Sequence, residues 1–278
     1  MPKTIVINSS NYIQGSGNKF IYNFPQTSYF PIGSGIGVSN IAIYNSIQNI
    51  NSKRGNNIIT LNWLGTDYVF LIPDGYYSVS DINYFLQNQC ILNNLYVTAN
   101  SGADNVYFVE LVINSIRYST SLNFYAIPTS AQATSLGYVK PANATWNYPN
   151  TSTCPSLSFN QPFANLIGQT FGTFGQNQSS NIQYLSTQTP VISPVDSLIL
   201  TCNLVNSKYS IPSNILFTVP ISSSLGSLIQ VNISSIVFND ILPQNFSSLE
   251  VTIYDQLFNP VILLDKEMTL TLIIDEGK

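Results

Sequence analysis

Apolar residues recur at every second position over much of the chain. Phe20, Tyr22 and Phe24 alternate; Ile41 and Ile43 leave one face while Ala42 and Tyr44 leave the other; Leu249, Val251 and Ile253 repeat the pattern, as do Leu270, Leu272 and Ile274. A period of two is that of a half-buried strand, because successive side chains point to opposite faces of the pleat. Further runs rich in β-formers cover 58–64, 68–72, 106–113, 122–127, 198–205, 215–219 and 228–238. Pro, Gly and polar turns, such as those at Asn94 and Ser101-Gly102, separate them. Many short antiparallel strands joined by long connections predict an all-β fold. The architecture expected is a jelly-roll β-sandwich of two packed antiparallel sheets with one short helix and a long insertion. The stretch 269–274 reads as an exposed edge strand that needs covering.

The period changes once. Ser78 opens a capping box with Asp81, Tyr77 and Ile82 can form a hydrophobic staple across it, and Ile82, Phe85, Leu86 and Cys90 make a stripe at helical spacing. The pattern predicts a helix over about 79–90. A single amphipathic helix in a strand-rich chain is expected to cover an open end of the sandwich.

Charge is sparse and unevenly placed. Nine Lys or Arg and 13 Asp or Glu make up 8% of the residues, and there is no histidine. Without imidazole, no side chain titrates near pH 7 unperturbed, and Ser-His-Asp or Cys-His sites cannot be built. The chain is therefore read as a protein that works by shape and surface, not as an enzyme. Between positions 118 and 195 the only Lys, Arg, Asp or Glu is Lys140. That segment is read as an insertion over about 128–190 within a single domain spanning 1–278.

Candidate chemistry changes this little. The acids come singly, as at Asp67, Asp74, Asp81, Asp196, Asp240 and Asp255, or beside the carboxyl terminus as Asp275-Glu276, whereas a glycosidase needs two facing carboxylates. Asp74 in Pro73-Asp74-Gly75 reads as a turn former with Gly75 supplying a positive φ, and Asp255-Gln256 with Asn259-Pro260 as a hairpin connection. Cys90, Cys154 and Cys202 are odd in number and widely spaced, so buried thiols are expected. No catalytic residue, cofactor or metal ligand is assigned. A net charge of −4, with Lys53-Arg54 as the nearest approach to a basic cluster, speaks against direct nucleic-acid contact. The amino-terminal apolar run is too short for a signal peptide, and no stretch reaches the ~18 apolar residues of a membrane span, so an intracellular, soluble product is expected.

One set of segments carries a family likeness. Val38-Ser39-Asn40-Ile41-Ala42-Ile43-Tyr44-Asn45-Ser46 leads through Leu61-Asn62-Trp63 into Ile72-Pro73-Asp74-Gly75-Tyr76-Tyr77-Ser78-Val79 and the helix. Later come Asp196-Ser197-Leu198-Ile199-Leu200-Thr201-Cys202-Asn203-Leu204-Val205 and Tyr254-Asp255-Gln256-Leu257-Phe258-Asn259-Pro260-Val261 before a last strand. Together these resemble the jelly-roll capsid proteins of virophages and polinton-like viruses, most closely their penton or minor capsid proteins. The similarity covers most of the chain outside the insertion and is one of overall pattern.

The resemblance implies a structural protein of the virion, five copies closing each icosahedral vertex beside other capsid proteins such as a major capsid protein. Assembly would take place in the host cytoplasm or a viral factory. A small-molecule ligand is not expected. Strand-like runs in excess of eight leave open a compact double jelly roll serving as the major capsid protein. A carbohydrate-binding or host-attachment module is the alternative of a different kind, with Trp146 and Tyr148 in the uncharged segment as the candidate surface-interaction residues, since aromatic rings can stack on sugars.

Overall fold

The computed structural model describes residues 2–99, 102–193 and 195–277. The chain divides into two compact units, one formed by 1–48 with 195–278 and the other by 49–194. The sequence pattern reads as one domain over 1–278 with an insertion over about 128–190. The inserted unit starts some eighty residues earlier, because strand periodicity at 58–64 or 68–72 shows that a segment has a buried face but not which core it faces.

The first unit begins with β1 (Lys3–Asn8), β2 (Lys19–Tyr29) and β3 (Gly35–Tyr44). The second then contributes β4 (Ile58–Trp63), β5 (Thr66–Leu71), α1 (Val79–Leu92), β6 (Val97–Ala99), β7 (Asp104–Val106), β8 (Val109–Asn114) and β9 (Ser119–Phe124). It continues through α2 (Ser130–Ser135), β10 (Ser156–Phe159), α3 (Gln161–Ile167), β11 (Gly172–Phe174) and β12 (Ile182–Leu185). The chain returns to the first unit for β13 (Ser197–Cys202), β14 (Ile215–Pro220), β15 (Leu228–Asn232), β16 (Asn239–Asp240), β17 (Asn245–Asp255) and β18 (Met268–Asp275).

The first unit is a jelly roll. One sheet runs β1-β18-β3-β15, with β16 also pairing to β3, and the other runs β14-β13-β17-β2, all antiparallel. Leaving aside the two-residue β16, the sheets read first, last, third, sixth and fifth, fourth, seventh, second in this unit's own sequence order, the pairing that two Greek keys produce. The alternating positions of the sequence close its core. Ile5, Ile7, Ile41, Ile43, Leu270, Leu272 and Ile274 from one sheet share a cluster with Leu198, Leu200, Leu249, Val251 and Ile253 from the other. Each such side chain contributes roughly 1.5–3 kcal/mol on burial.

β18 is not an edge. It lies between β1 and β3, with Leu272 opposite Ile5 on one side and Val38 on the other, so the expected exposed strand at 269–274 is central. Alternation is the same for an edge and a central strand when one face is solvated, and pairing order is a long-range property.

The strand-like runs beyond eight belong to the second unit, which is not a second sandwich of the same kind. Its sheets are β11-β10-β4-β5, β12-β9-β8 and the pair β6-β7, around a separate core that includes Ile59, Leu61, Trp63, Leu122, Phe124 and Phe163. The run 106–113 breaks into β7 and β8, and 228–238 keeps only β15 as an extended strand before the two-residue β16. Asn94 takes a positive φ of 56°, as a turn there requires, and Gly102 one of 96°; Ser101 lies outside the described residues.

The helix forms where the capping box places it. The Asp81 amide donates to Ser78 Oγ at 3.1 Å and the Ser78 amide to Asp81 Oδ2 at 2.9 Å. Val79, Ile82, Leu86 and Cys90 are buried. The helix packs on β8, where the Leu111 amide donates to Asn83 Oδ1 at 2.9 Å. It thus serves the core of the second unit, whereas the sequence pattern predicts a helix covering an open end of the sandwich. Gly75 is not in the positive-φ region; a Cβ there would meet the Tyr77 ring at 2.9 Å, so close approach requires the glycine. At Gly168, the left-handed C-cap of α3 with φ 73°, a Cβ would also collide with the carbonyl of Gln188.

Candidate interaction surfaces

Alternation in the β1-β18-β3-β15 sheet sends its polar positions outward. The strand registers align Asn8, Thr269, Ala42 and Gln230 in one row across four strands, and Val6, Thr271, Asn40 and Asn232 in the next. Neither row contains a charged residue. The Asn40 amide donates to the Asn232 side chain across β3 and β15. Glu267 borders one end, beside Asn8, Ala42 and Thr269. Amides and hydroxyls of this kind hydrogen-bond readily and cost far less to dehydrate than ions.

Six of the acids are held by local partners. Asp255, buried, accepts from the amides of Leu257 and Asn259 at 2.9 and 2.8 Å and forms the expected turn. Asp74 accepts from the Ser52 amide at 2.7 Å. Hydrogen bonds from Ser78 hold the Asp81 carboxyl below its ordinary value. Glu250 pairs with Lys19 at 2.8 Å, and that hydrogen bond and charge raise the Lys19 ammonium. Glu110 accepts from the Tyr125 hydroxyl at 3.0 Å, and Glu276 pairs with Lys3. Lys53 and Arg54 sit in a 3₁₀ turn ended by Gly55 in the left-handed region.

All three cysteines are free and buried, and burial alone pushes Cys90 up to about 12, with Cys202 also raised to about 12 chiefly by burial. Among the described residues no group of three or more His, Cys, Asp or Glu is placed to hold a metal, and no helix is long and apolar enough to cross a membrane.

The aromatic pair singled out by sequence does not form a surface platform. Trp146 is only 8% exposed; its Nε1 donates to the Asn94 carbonyl at 2.6 Å, and its ring meets Trp63 and Tyr148 edge-on at centroid distances of 5.3 and 5.4 Å. Lys140 closes the site by donating to the Trp146 carbonyl at 2.9 Å. Tyr148 is half-buried against the same core, and burial raises its hydroxyl. A stretch without charges looked like surface available for stacking, but an indole with a hydrogen-bond partner for its N–H packs well inside.

A second surface was not singled out by sequence. Over β4, β10 and β11 of the inserted unit lies a groove of about 770 Å³ lined by Thr60, Asn62, Asp67, Ser156, Ser158 and Thr173 among others. These are the polar alternates of strands whose apolar alternates were legible, and nothing local distinguishes a groove-lining hydroxyl from any solvated one.

Compared with solved structures, the chain is similar over nearly its whole length to the penton protein of mavirus, at 13% identity, covering 99% of this chain and 98% of that one with a TM-score of 0.41. It is similar to the same extent to a chain of the Sputnik virophage particle, at 14% identity, 99% and 97% coverage and a TM-score of 0.40. No protein-family model matches the chain, and no curated protein matches it.

Proposed function

We propose that the protein is a structural subunit of a viral capsid, working as a penton: five copies close a ring at each vertex and contact other capsid proteins, such as a major capsid protein. The observation that carries this reading is the pair of uncharged rows across four strands on the outer face of the β1-β18-β3-β15 sheet of a single jelly roll, with acids only at its ends. A closed ring needs a heterologous contact, one face of a subunit meeting a different face of the next. Obligate contacts are large and depleted of charge at their centres. A broad sheet face of Thr, Asn, Gln, Val and Ala meets that requirement without burying an ion. Asp74, Asp81, Asp255, Glu250 and Glu276, by contrast, are engaged in caps, turns and ion pairs, which supports a role without catalysis.

The protein would then reside in the virion, with assembly in the host cytoplasm or a viral factory. Co-expression with a major capsid protein, followed by cryo-electron microscopy of the shells, tests the reading. Density for this chain is expected at the five-fold vertices. Shells that close with those positions filled by another protein, this chain being left in the supernatant, would contradict it.

A further inference from the structure

We propose that the inserted unit binds an uncharged oligosaccharide in the groove over β4, β10 and β11. This stands independently of the capsid role, since it concerns only the unit at 49–194.

The floor of the groove is a grid of small polar groups. Strand registers align Thr173, Ser158 and Thr60 in one row and Ser156, Asn62 and Asp67 in the next. Neighbours lie ~4.8 Å apart across the strands and ~7 Å along them. The other face of the same strands carries Ile59, Leu61, Leu157, Phe159 and Phe174 in the core, so the polar face is left to line the groove. Asn147 and Pro149, which flank Tyr148, and Gln176 border it from loops.

Within the described residues the hydroxyls of Thr60, Ser156, Ser158 and Thr173 make no hydrogen bond, although Ser156 is only 9% exposed. Asn62 and Asp67 are oriented instead. The Asn62 amide donates to Asp67 Oδ1 at 2.6 Å and accepts from the Gly65 amide at 3.1 Å. That arrangement leaves one Asn62 N–H and Asp67 Oδ2 for a ligand. A fixed carboxylate oxygen that accepts, an amide that donates and rotatable hydroxyls that do either complement a polyol, whose hydroxyls also do both.

Charge narrows the class. The groove contains one carboxylate and no Lys or Arg. A phosphate, sulfate or carboxylate on the ligand would meet repulsion with no compensating cation. An apolar ligand would strand the hydroxyls without partners. The volume lies within the span of small-ligand pockets, and the lining holds no aromatic ring for stacking, so affinity per site is expected in the millimolar range.

The test is saturation-transfer NMR on the full chain with maltotetraose, mannotetraose, galactotetraose and chitotetraose, and a heparin tetrasaccharide as the anionic control. At least one neutral tetrasaccharide should bind. Asp67→Ala and the double variant Thr60→Val/Ser158→Val should each weaken that binding at least tenfold while thermal unfolding of the protein is unchanged. If Asp67→Ala disturbs folding, the double variant carries the test, because valine keeps the strand and removes only hydrogen-bonding capacity. Absence of binding by all four neutral sugars, binding of heparin alone, or wild-type binding by both variants would overturn the proposal.

Discussion

Asn49 holds Ile192. Its side-chain amide donates to the Ile192 carbonyl at 2.9 Å and to the Tyr77 carbonyl at 2.7 Å, while its Oδ1 accepts from the Tyr77 amide at 2.8 Å. Asn49 opens the inserted unit and Ile192 stands near its end, so one side chain, only 1% exposed, ties the entering and leaving segments of that unit together.

Asn49→Ala removes all three bonds and leaves the half-buried Tyr77 and Ile192 carbonyls without this partner, which should destabilise the inserted unit by about 1–3 kcal/mol. Both tryptophans of the chain, Trp63 and Trp146, lie in that unit's core, so tryptophan fluorescence reports on it selectively. The urea midpoint followed by fluorescence should fall in the variant. An unchanged midpoint would show that the clamp contributes nothing.

Leu272 is fully buried on the central strand β18. Leu272→Asp places an unpaired carboxylate in the jelly-roll core, a loss of about 4 kcal/mol or more, and the variant should be insoluble or unassembled. Recovery of soluble, normally assembled protein would contradict the register of β18.

Burial raises Cys90 and Cys202 from 9.0 to about 12. Between about pH 9 and pH 12 the unfolded chain has released thiol protons that the folded chain still holds. Stability contributed by these groups is therefore complete below pH 9 and is lost as pH rises through that window. Urea midpoints should fall from pH 9 upward, with a shallower fall in Cys90→Ala and Cys202→Ala. Native protein at pH 8 should react slowly with a disulfide reagent, since the thiolate is the reactive form. Rapid stoichiometric labelling of the folded chain would contradict the burial.

Features set by local chemistry were legible in the sequence. The capping box of Ser78 and Asp81, the turn at Asp255 and the alternation that buries Leu249, Val251 and Ile253 depend on residues a few positions apart, and each forms as read. Features set by long-range pairing were not. Periodicity could not show that Leu61 and Leu270 serve different cores, that β18 is flanked on both sides, or that the insertion opens at Asn49. Trp146 was misplaced for a related reason, since its partner Asn94 lies 52 residues away. The groove at Asn62 and Ser158 needed three strands brought together before it existed.

Thr269 is exposed in an uncharged row on the outer face of the β1-β18-β3-β15 sheet. Thr269→Arg adds a hydrated cation there and should alter the stability of the isolated subunit by no more than about 0.5 kcal/mol. Buried against a neighbouring copy, the same cation would lack a partner, so association should weaken at least tenfold. Sedimentation velocity across a dilution series measures both species. Association equal to that of the unsubstituted chain would remove this face from the contact.

A chain nearly devoid of charge, working as proposed, is built to pack against copies of itself. Native mass spectrometry of the purified protein tests that directly. The expected result is a closed species of five times the 30.7 kDa chain mass, persisting on dilution. A single species at 30.7 kDa at every concentration would contradict it.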